Sequence, residues 1–316
     1  MDTSTTPTTE VLDEPRLPTK TPSARRITWL RRRRALAGYW RAYKRNKQGM
    51  IGLVLLTIII ALALLAPFLF DKAQIGVSTS TGERLAAPSS SNWLGTDKFG
   101  RDIVAMLAYG ARISLLVGLA ATIGTMAIGA VVGITAGYAG GKTDTFLNFL
   151  TNCFLVIPWI PLAIVLVALM GRGVWNIILV IAITSWAGTA RLVRAQALTV
   201  KERTYVERAR ALGAGDWHLV SRHVLPNVFP VLFSNMVLAV SLAILSETTL
   251  ALLGLGDPNT VSWGTMIGDS FEAGAIVAGY WWWIIPPGLC LIAVTLSFTM
   301  CGYALDEILN PKLRQR

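Results

Sequence analysis

A single carboxylate, Glu247, interrupts a long apolar stretch of this sequence. An ionised carboxylate is costly to desolvate, so such a residue is a candidate for proton transfer, ion coupling or contact with a transported solute. Glu247 lies about six residues from the end of its apolar stretch, which is roughly 9 Å at helical rise. Water or a loop is within that reach. We therefore predict a structural or gating contact, with direct solute coordination as the alternative.

Residues 136–143, AGYAGGKT, resemble a phosphate-binding loop in which alanine replaces the first glycine. Such a loop cradles phosphate in its backbone amides only where it joins a β-strand to a helix in a soluble α/β domain. Here it follows an apolar segment of membrane-spanning length and opens a short turn. We interpret the match as chance, and we predict that the chain has no ATPase site and binds no cofactor of its own.

The residue clusters of metal sites and enzymes are missing from the sequence. His218 and His223 are five residues apart and have no third ligand nearby, which is a poor start for a metal site. Cys153, Cys290 and Cys301 fall within apolar segments, without the spacing of a disulfide framework or a zinc site. We predict neither a metal site nor catalytic residues, and this disfavours a membrane enzyme.

Composition places most of the chain in lipid. Of 316 residues, 53% are hydrophobic and 15% charged, and the mean hydropathy is +0.53. The net charge of +11 does not indicate a nucleic-acid partner, because the cations lie between apolar runs rather than on one soluble face. Lipid offers backbone groups no partners, so the spans must be helical. The predicted fold is an all-α integral membrane protein with six transmembrane helices at about residues 50–70, 113–138, 146–170, 174–190, 228–253 and 283–305.

Lysine and arginine are distributed unequally among the connecting segments. With the N-terminus inside, the inner segments hold 23 of these cations and the outer loops hold 6. The positive-inside rule therefore predicts that both termini are cytoplasmic. Residues 1–49 are predicted to form a disordered, basic tail. Residues 50–316 then form one six-helix domain with outer-face loops at 71–112 and 254–282.

Two patterns within the spans concern packing and bending. Gly129, Gly133 and Gly137 recur at four-residue spacing in the second span and leave a groove that a second helix can enter closely. Pro158 and Pro161 disfavour a straight third span, because each removes a backbone donor. The prolines, like the buried carboxylate, are candidates for a gate or translocation path, with simple kinking as the alternative.

The connection between the fourth and fifth spans, residues 191–227, is long, polar and patterned. Apolar residues recur in it at the spacing of a short amphipathic helix: Tyr205, Ala209 and Leu212. Gly213 then breaks this helix, Asp216 can cap a second one, and Pro226 ends or bends the second helix at the membrane. A helix-turn-helix on the surface of a membrane protein suits the docking of a soluble partner.

The same connection carries a more specific signature. Glu207-Arg208-Ala209, followed by Gly213 and Leu225-Pro226, resembles the E-A-A, G, L-P signature of importer-type ABC permeases. Arg208 departs from the usual alanine, and His223 from a usual aliphatic residue. Further blocks are similar to those of the second permease subunit of dipeptide, oligopeptide and nickel importers: Asn46-Lys47, residues 94–102, residues 109–115, residues 253–256 and Ser262-Trp263-Gly264.

This resemblance implies a type I ABC importer-like permease fold in a bacterial cell membrane, with the chain forming half of a translocation pathway for peptides. Nickel import by the same architecture is the alternative, and a secondary transporter is a more distant one. The implied partners are a homologous second permease, two ATP-binding subunits that use ATP and Mg, an extracytoplasmic solute-binding protein and the lipid bilayer.

The resemblance also implies two sets of contact residues. The ATPase would dock on the 191–227 connection through Tyr205, Glu207, Arg208, Ala209, Leu212, Gly213, Ala214, Asp216, His223, Leu225 and Pro226. The solute-binding protein would contact the outer face through Gly95, Thr96, Asp97, Gly100, Arg101, Asp102, Gly256, Trp263 and Gly264. For the outer set, capping of helix ends by glycine-rich turns is an equal alternative.

Overall fold

The computed structural model describes residues 37–309. The chain divides into two compact units, Met1–Ala42 and Tyr43–Arg316. In the first unit the described residues, 37–42, are helical. Most of the predicted N-terminal tail lies outside the described residues.

Helices make up most of residues 43–309. In chain order they are α1 (Lys47–Leu69), α2 (Ile103–Ala139), α3 (Gly141–Val156), α4 (Trp159–Met170), α5 (Val174–Lys201), α6 (Thr204–Ala211), α7 (Asp216–Leu219), α8 (Leu225–Leu252), α9 (Trp263–Glu272) and α10 (Trp281–Leu309). A 3₁₀ turn occupies Lys72–Ile75 and a π-helical turn occupies Val220–Val224. Within residues 37–309 there is no β-strand.

The described helices account for the predicted spans, with one change of shape. Helices α1, α2, α5 and α10 and the continuous run Asp216–Leu252 are long and apolar enough to cross a membrane. The third predicted span is a pair of helices, α3 and α4, bent by 93°. Counted as one crossing, this pair makes six spans, so the all-α, multi-span fold is confirmed.

Two prolines explain why the third span breaks rather than kinks. Ile157 has extended backbone angles, φ −68° and ψ 125°, as the residue before a proline prefers. Pro158 precedes the first residue of α4, and Pro161 lies in its first turn. The N–H groups of a first turn have no partner within the helix, so a proline there costs no helical hydrogen bond. The helix break is therefore stable in this position. The sequence predicted a kink, and the structure shows two separate helices at 93°.

Helices α2 and α5 pack through the predicted glycine groove. A Cβ at Gly129 would lie 2.6 Å from Thr189 Cβ, one at Gly133 would lie 2.5 Å from the Ala190 carbonyl oxygen, and one at Gly137 would lie 2.8 Å from the Arg194 carbonyl oxygen. Real Cβ contacts are much longer, so larger residues would force the two helices apart. The structure places these glycines at a contact within this chain.

Helices α2 and α5 are longer than their predicted spans. Helix α2 begins at Ile103 instead of residue 113, and α5 continues to Lys201 instead of ending at residue 190. The 37 residues of α2 rise about 55 Å, against a hydrocarbon layer of about 30 Å. Hydropathy marks only the part of a helix that lies in lipid, so the predicted loops 71–112 and 191–227 are partly helical.

Candidate functional site

The two ends of α2 define two polar regions of the molecule. We call residues 202–224, between α5 and α8, the coupling segment. We call residues 71–102 and 253–280 the far layer. Tyr138, at one end of α2, forms a hydrogen bond with the coupling segment. Asp102 caps the other end of α2 and belongs to the far layer. The regions are thus separated by the length of α2, about 55 Å.

The coupling segment begins with α6 and a sharp turn. Gly213 has φ +87°, a left-handed conformation that favours glycine. Its N–H donates to the Arg210 carbonyl at 2.9 Å, and the Ala214 N–H donates to the Ala209 carbonyl at 3.1 Å. This pair of bonds is the Schellman ending of a helix, so the predicted break at Gly213 has a specific geometry.

The buried face of α6 differs from the predicted one. Val206 is fully buried and packs with Leu219 and Val224, and Ala209 lies on the same face. Tyr205 and Leu212, expected on the apolar face with Ala209, are exposed. Residues three apart share a helix face, so Val206 with Ala209 forms the inner face. The sequence pattern grouped Tyr205 and Leu212 with Ala209 on one face and passed over Val206, and this grouping is wrong. Both exposed side chains stay predicted contacts for a partner.

Exposed apolar side chains concentrate on the outside of this segment. Leu212 is 89% exposed and Trp217 is 82% exposed. Glu207 and Arg208 are also exposed. Large apolar side chains of this kind, flanked by charges, are typical of interaction surfaces. The segment thus combines a buried inner face with an exposed apolar outer face.

Hydrogen bonds join the coupling segment to the end of α2. The Tyr138 hydroxyl donates to Asp216 Oδ1 at 2.6 Å, and Lys201 Nζ donates to the Tyr138 carbonyl at 2.6 Å. The Arg210 guanidinium lies 6.0 Å from the centre of the Tyr138 ring. Asp216 is the first residue of α7 and Gly215 precedes it as the cap, so the predicted capping role of Asp216 is replaced by a bond to a neighbouring helix.

A π-helical turn carries the segment into the membrane helix. The Leu225 N–H donates to the Val220 carbonyl, five residues back, and this wider register accommodates Pro226, which has no N–H. Pro226 consequently does not end the helix. The π register also brings His218 and His223 together, with ring centres 5.9 Å apart, and His223 packs on Tyr205 at 5.8 Å. Within residues 37–309 no group of three metal-ligating side chains forms.

An ion pair joins two helices next to the coupling segment. Arg194 donates to both carboxylate oxygens of Asp144, at 2.6 and 2.7 Å. This bidentate pair is the strong form of an arginine-carboxylate contact, and it joins α3 to α5. Asp144 and Tyr138 lie outside the 191–227 connection, so the sequence pattern of that connection could not predict these contacts.

Near the end of α8, next to the far layer, Glu247 accepts a hydrogen bond from the start of α9. The Ser262 hydroxyl donates to Glu247 Oε1 at 2.6 Å, and Ser262 is the N-cap of α9 in a capping box with Thr265. The carboxylate therefore faces the positive end of a helix dipole. Glu247 is 3% exposed, and its Oε2 has no partner among the described residues.

Close packing holds α9 against α8 at this point. A Cβ at Gly264 would lie 2.8 Å from Thr248 Cα and 2.9 Å from Glu247 Oε2. Next to it, the Trp263 indole donates to the Leu107 carbonyl at 3.0 Å. Gly256 lies against the methyl group of Thr265. Trp263 and Gly264 are therefore interior residues that join α9 to α2 and α8.

The block at residues 95–102 also faces inward. Asp97 is fully buried and accepts from the Arg101 side chain at 2.6 Å, and Arg101 also donates to Asp269 of α9 at 3.2 Å. Asp102 caps α2 by accepting from the Ala105 N–H at 2.8 Å. Thr96 is fully buried and bonds the Glu83 carbonyl at 2.5 Å. Gly95 and Gly100 occupy the turns of this block with positive φ. In this structure the block organises the far layer from within.

A cavity of about 460 Å³ lies between α2, α5 and α8, in the apolar part of the bundle. Its polar lining is uncharged and consists of Thr122, Thr125, Ser185, Thr189, Asn235, Ser246 and Thr249. Glu247, Pro158 and Pro161 do not line it. The three predicted gating residues therefore do not face this cavity, although their neighbours Trp159 and Ser246 line it.

Fold and sites together define a multi-span helical membrane protein that carries, at one end, an anchored segment with an exposed apolar surface. A family model described as "Binding-protein-dependent transport system inner membrane component" matches residues 129–315. A second, "N-terminal TM domain of oligopeptide transport permease C", matches residues 35–88. The chain belongs to the family of binding-protein-dependent transport system inner membrane components, and the resemblance drawn from the signature is confirmed.

Curated relatives agree with this family, and a solved structure has a similar fold. The dipeptide transport system permease protein DppC of Bacillus subtilis is 35% identical over 277 residues, covering 87% of this chain and 85% of the relative. The oligopeptide transport system permease protein OppC of the same organism is 34% identical over 274 residues, covering 86% and 88%. The MetNI methionine ABC transporter in inward-facing conformations has a similar fold, with TM-score 0.53, 18% identity and coverage of 65% of this chain and 95% of that chain.

Proposed function

We propose that this chain is the membrane-spanning permease subunit of an ATP-driven importer and forms half of a pathway for di- or oligopeptides. The names of its relatives support peptides as solutes, because this chain covers most of their length. A homologous second permease would supply the other half. The protein would lie in the bacterial cell membrane with both termini in the cytoplasm.

The observation that carries this proposal is the construction of the coupling segment. Its outer surface offers Leu212 and Trp217, while Val206 and the Tyr138–Asp216 bond attach it to the bundle. A soluble ATPase docked on that surface would move the segment as a unit, and the attachments would transmit the movement to α2 and α8. ATP and Mg would be used by two partner ATPases, and this chain would catalyse no reaction itself.

The far layer would receive the extracytoplasmic solute-binding protein. Because Thr96, Asp97, Trp263 and Gly264 are turned inward, their contribution would be to hold the shape of this surface. Glu247 would act in the same way, as the residue that positions α9 on α8. Glu247 is absent from the lining of the uncharged cavity, and this supports the positioning role over direct coordination of the solute.

The uncharged cavity would form this chain's share of the pathway. Hydroxyl and amide groups can bond a peptide backbone without preferring one side-chain charge. Such a lining suits a pathway whose selectivity is set by a separate binding protein.

Purification of the intact complex tests the proposal. We expect ATPase subunits, a second permease and ATP-dependent peptide uptake in proteoliposomes. Trp217→Ala combined with Leu212→Ala should lower ATPase recovery at least tenfold, because each buried aromatic or aliphatic anchor contributes about 1 kcal/mol or more to an interface. Trp93→Ala is the matched control, because Trp93 is 76% exposed in the far layer. Uptake by this chain alone, without an ATPase, would refute the proposal.

A further inference from the structure

A large cavity opens beside the end of α1 in the far layer. It has a volume of about 1100 Å³ and lies between the last turn of α1, the following 3₁₀ turn and residues 109–116 of α2. The Tyr109 hydroxyl donates to the Phe70 carbonyl at 3.0 Å and joins the two helices there. We call this space the boundary cavity.

The boundary cavity lies where the bundle passes from lipid to water. Asp71 and Lys72 directly follow the apolar run of α1, and Arg112 directly precedes the apolar run of α2 that starts at Ile113. Charges avoid the hydrocarbon core, so each of these positions marks the edge of the membrane. Both edges line the same cavity, which fixes its depth at the level of lipid headgroups.

The lining combines cationic and apolar surface. Lys72 and Arg112 are exposed, and neither forms a salt bridge within residues 37–309. Phe68 is 85% exposed and Leu116 is 43% exposed on the lipid side of the same cavity. The one acid in the lining, Asp71, accepts from the Ala73 N–H at 2.9 Å and caps the 3₁₀ turn. The cavity thus presents an excess of positive charge next to an apolar wall.

We propose that the boundary cavity binds an anionic glycerophospholipid. Lys72 and Arg112 bind its phosphodiester, and Phe68 and Leu116 contact its acyl chains. Charge complementarity selects an anion over a neutral ligand. The exposed apolar wall selects a lipid over a free phosphate ion, which would gain nothing from Phe68 or Leu116.

Native mass spectrometry of the purified complex measures how much lipid is retained at this site. The probes are phosphatidylglycerol and phosphatidylcholine, each added in increasing amounts. The wild-type complex should retain phosphatidylglycerol preferentially. Lys72→Gln with Arg112→Gln should weaken its retention about 20- to 30-fold, because a cation near an anionic lipid surface contributes about 1 kcal/mol and 1.4 kcal/mol corresponds to tenfold. Arg84→Gln with Arg172→Gln is the matched control, since both cations are exposed outside this cavity.

A second variant keeps the test informative if the double variant assembles poorly. Phe68→Ala leaves both cations in place and alters a side chain that is almost fully exposed, so it should fold normally and lower retention about threefold or more. Unchanged phosphatidylglycerol retention in both the cation and Phe68 variants would overturn the proposal. Displacement of the lipid by millimolar inorganic phosphate would also overturn it, in favour of a free-anion site. Binding by the isolated chain that disappears in the complex would show that the second permease occupies the cavity instead.

Discussion

The hydrogen bond between Tyr138 and Asp216 gives the sharpest test of how the coupling segment is attached. The Tyr138 hydroxyl donates to Asp216 Oδ1 at 2.6 Å, and it is the side-chain link between the end of α2 and the start of α7. Tyr138→Phe removes this hydroxyl and keeps the ring under Lys201 and Arg210. The hydrogen bond from Lys201 Nζ to the Tyr138 carbonyl oxygen is also kept.

The expected free-energy loss on removing this hydrogen bond follows from the exposure and charge of Asp216. A hydrogen bond to a charged group contributes about 1.5–3 kcal/mol, but Asp216 is exposed, and solvent screening reduces such bonds to about 1 kcal/mol or less. A loss of about 1 kcal/mol shifts the equilibrium between attached and detached segment about fivefold. The substitution should therefore leave the fold and ATPase recovery intact while loosening the transmission of movement.

Proteoliposomes containing the complete complex provide the assay. The ratio of ATP hydrolysed to peptide transported should rise up to about fivefold in Tyr138→Phe and by a similar factor in Asp216→Ala. The double variant should be no worse than either single variant, because all three lack the same bond. Tyr303→Phe is the control, since Tyr303 is an exposed tyrosine of α10. Additive effects in the double variant, or an unchanged ratio in both single variants, would refute the proposed linkage.

Further substitutions at three places in the structure test packing and positioning. Val206→Ala removes a fully buried side chain and should destabilise the coupling segment by about 2 kcal/mol, seen as faster proteolysis near residue 213. Gly133→Val places atoms against the Ala190 carbonyl and should lower the melting temperature of the complex, because overpacking costs about 1–3 kcal/mol. Glu247→Ala and Ser262→Ala each break the same 2.6 Å bond and should reduce transport to a similar degree.

The first two tests have a matched control, and each of the three has an outcome that would contradict it. Leu212→Ala in the exposed part of the segment should not accelerate proteolysis, and equal rates for the two variants would contradict the anchoring role of Val206. Gly188→Val meets no neighbouring atom within 4 Å, so an equal fall in melting temperature there would contradict the α2–α5 seam. Full transport by Ser262→Ala with none by Glu247→Ala would point to direct solute contact by Glu247.

Hydropathy predicted the spans because lipid demands long apolar helices, but it could not predict helix ends in water. Residues 103–112 and 191–201 continue helices beyond the predicted spans, and Arg112 interrupts the apolar sequence at the predicted start of the second span. Helix α9 was also missed. Its capping box pairs Ser262 with Thr265, whereas the usual sequence sign of a capping box is Glu or Gln in the third position.

The coupling segment shows why spacing alone misassigns faces in short helices. Two stripes of α6 offer apolar residues, one through Tyr205 and Leu212 and one through Val206 and Ala209, and a helix of eight residues is too short for periodicity to choose between them. Tertiary packing decides: Leu219 and Val224 face the Val206 stripe. Tyr205 and Leu212, which the sequence pattern grouped with Ala209, consequently stay exposed, and they give the outer surface of the coupling segment its apolar character.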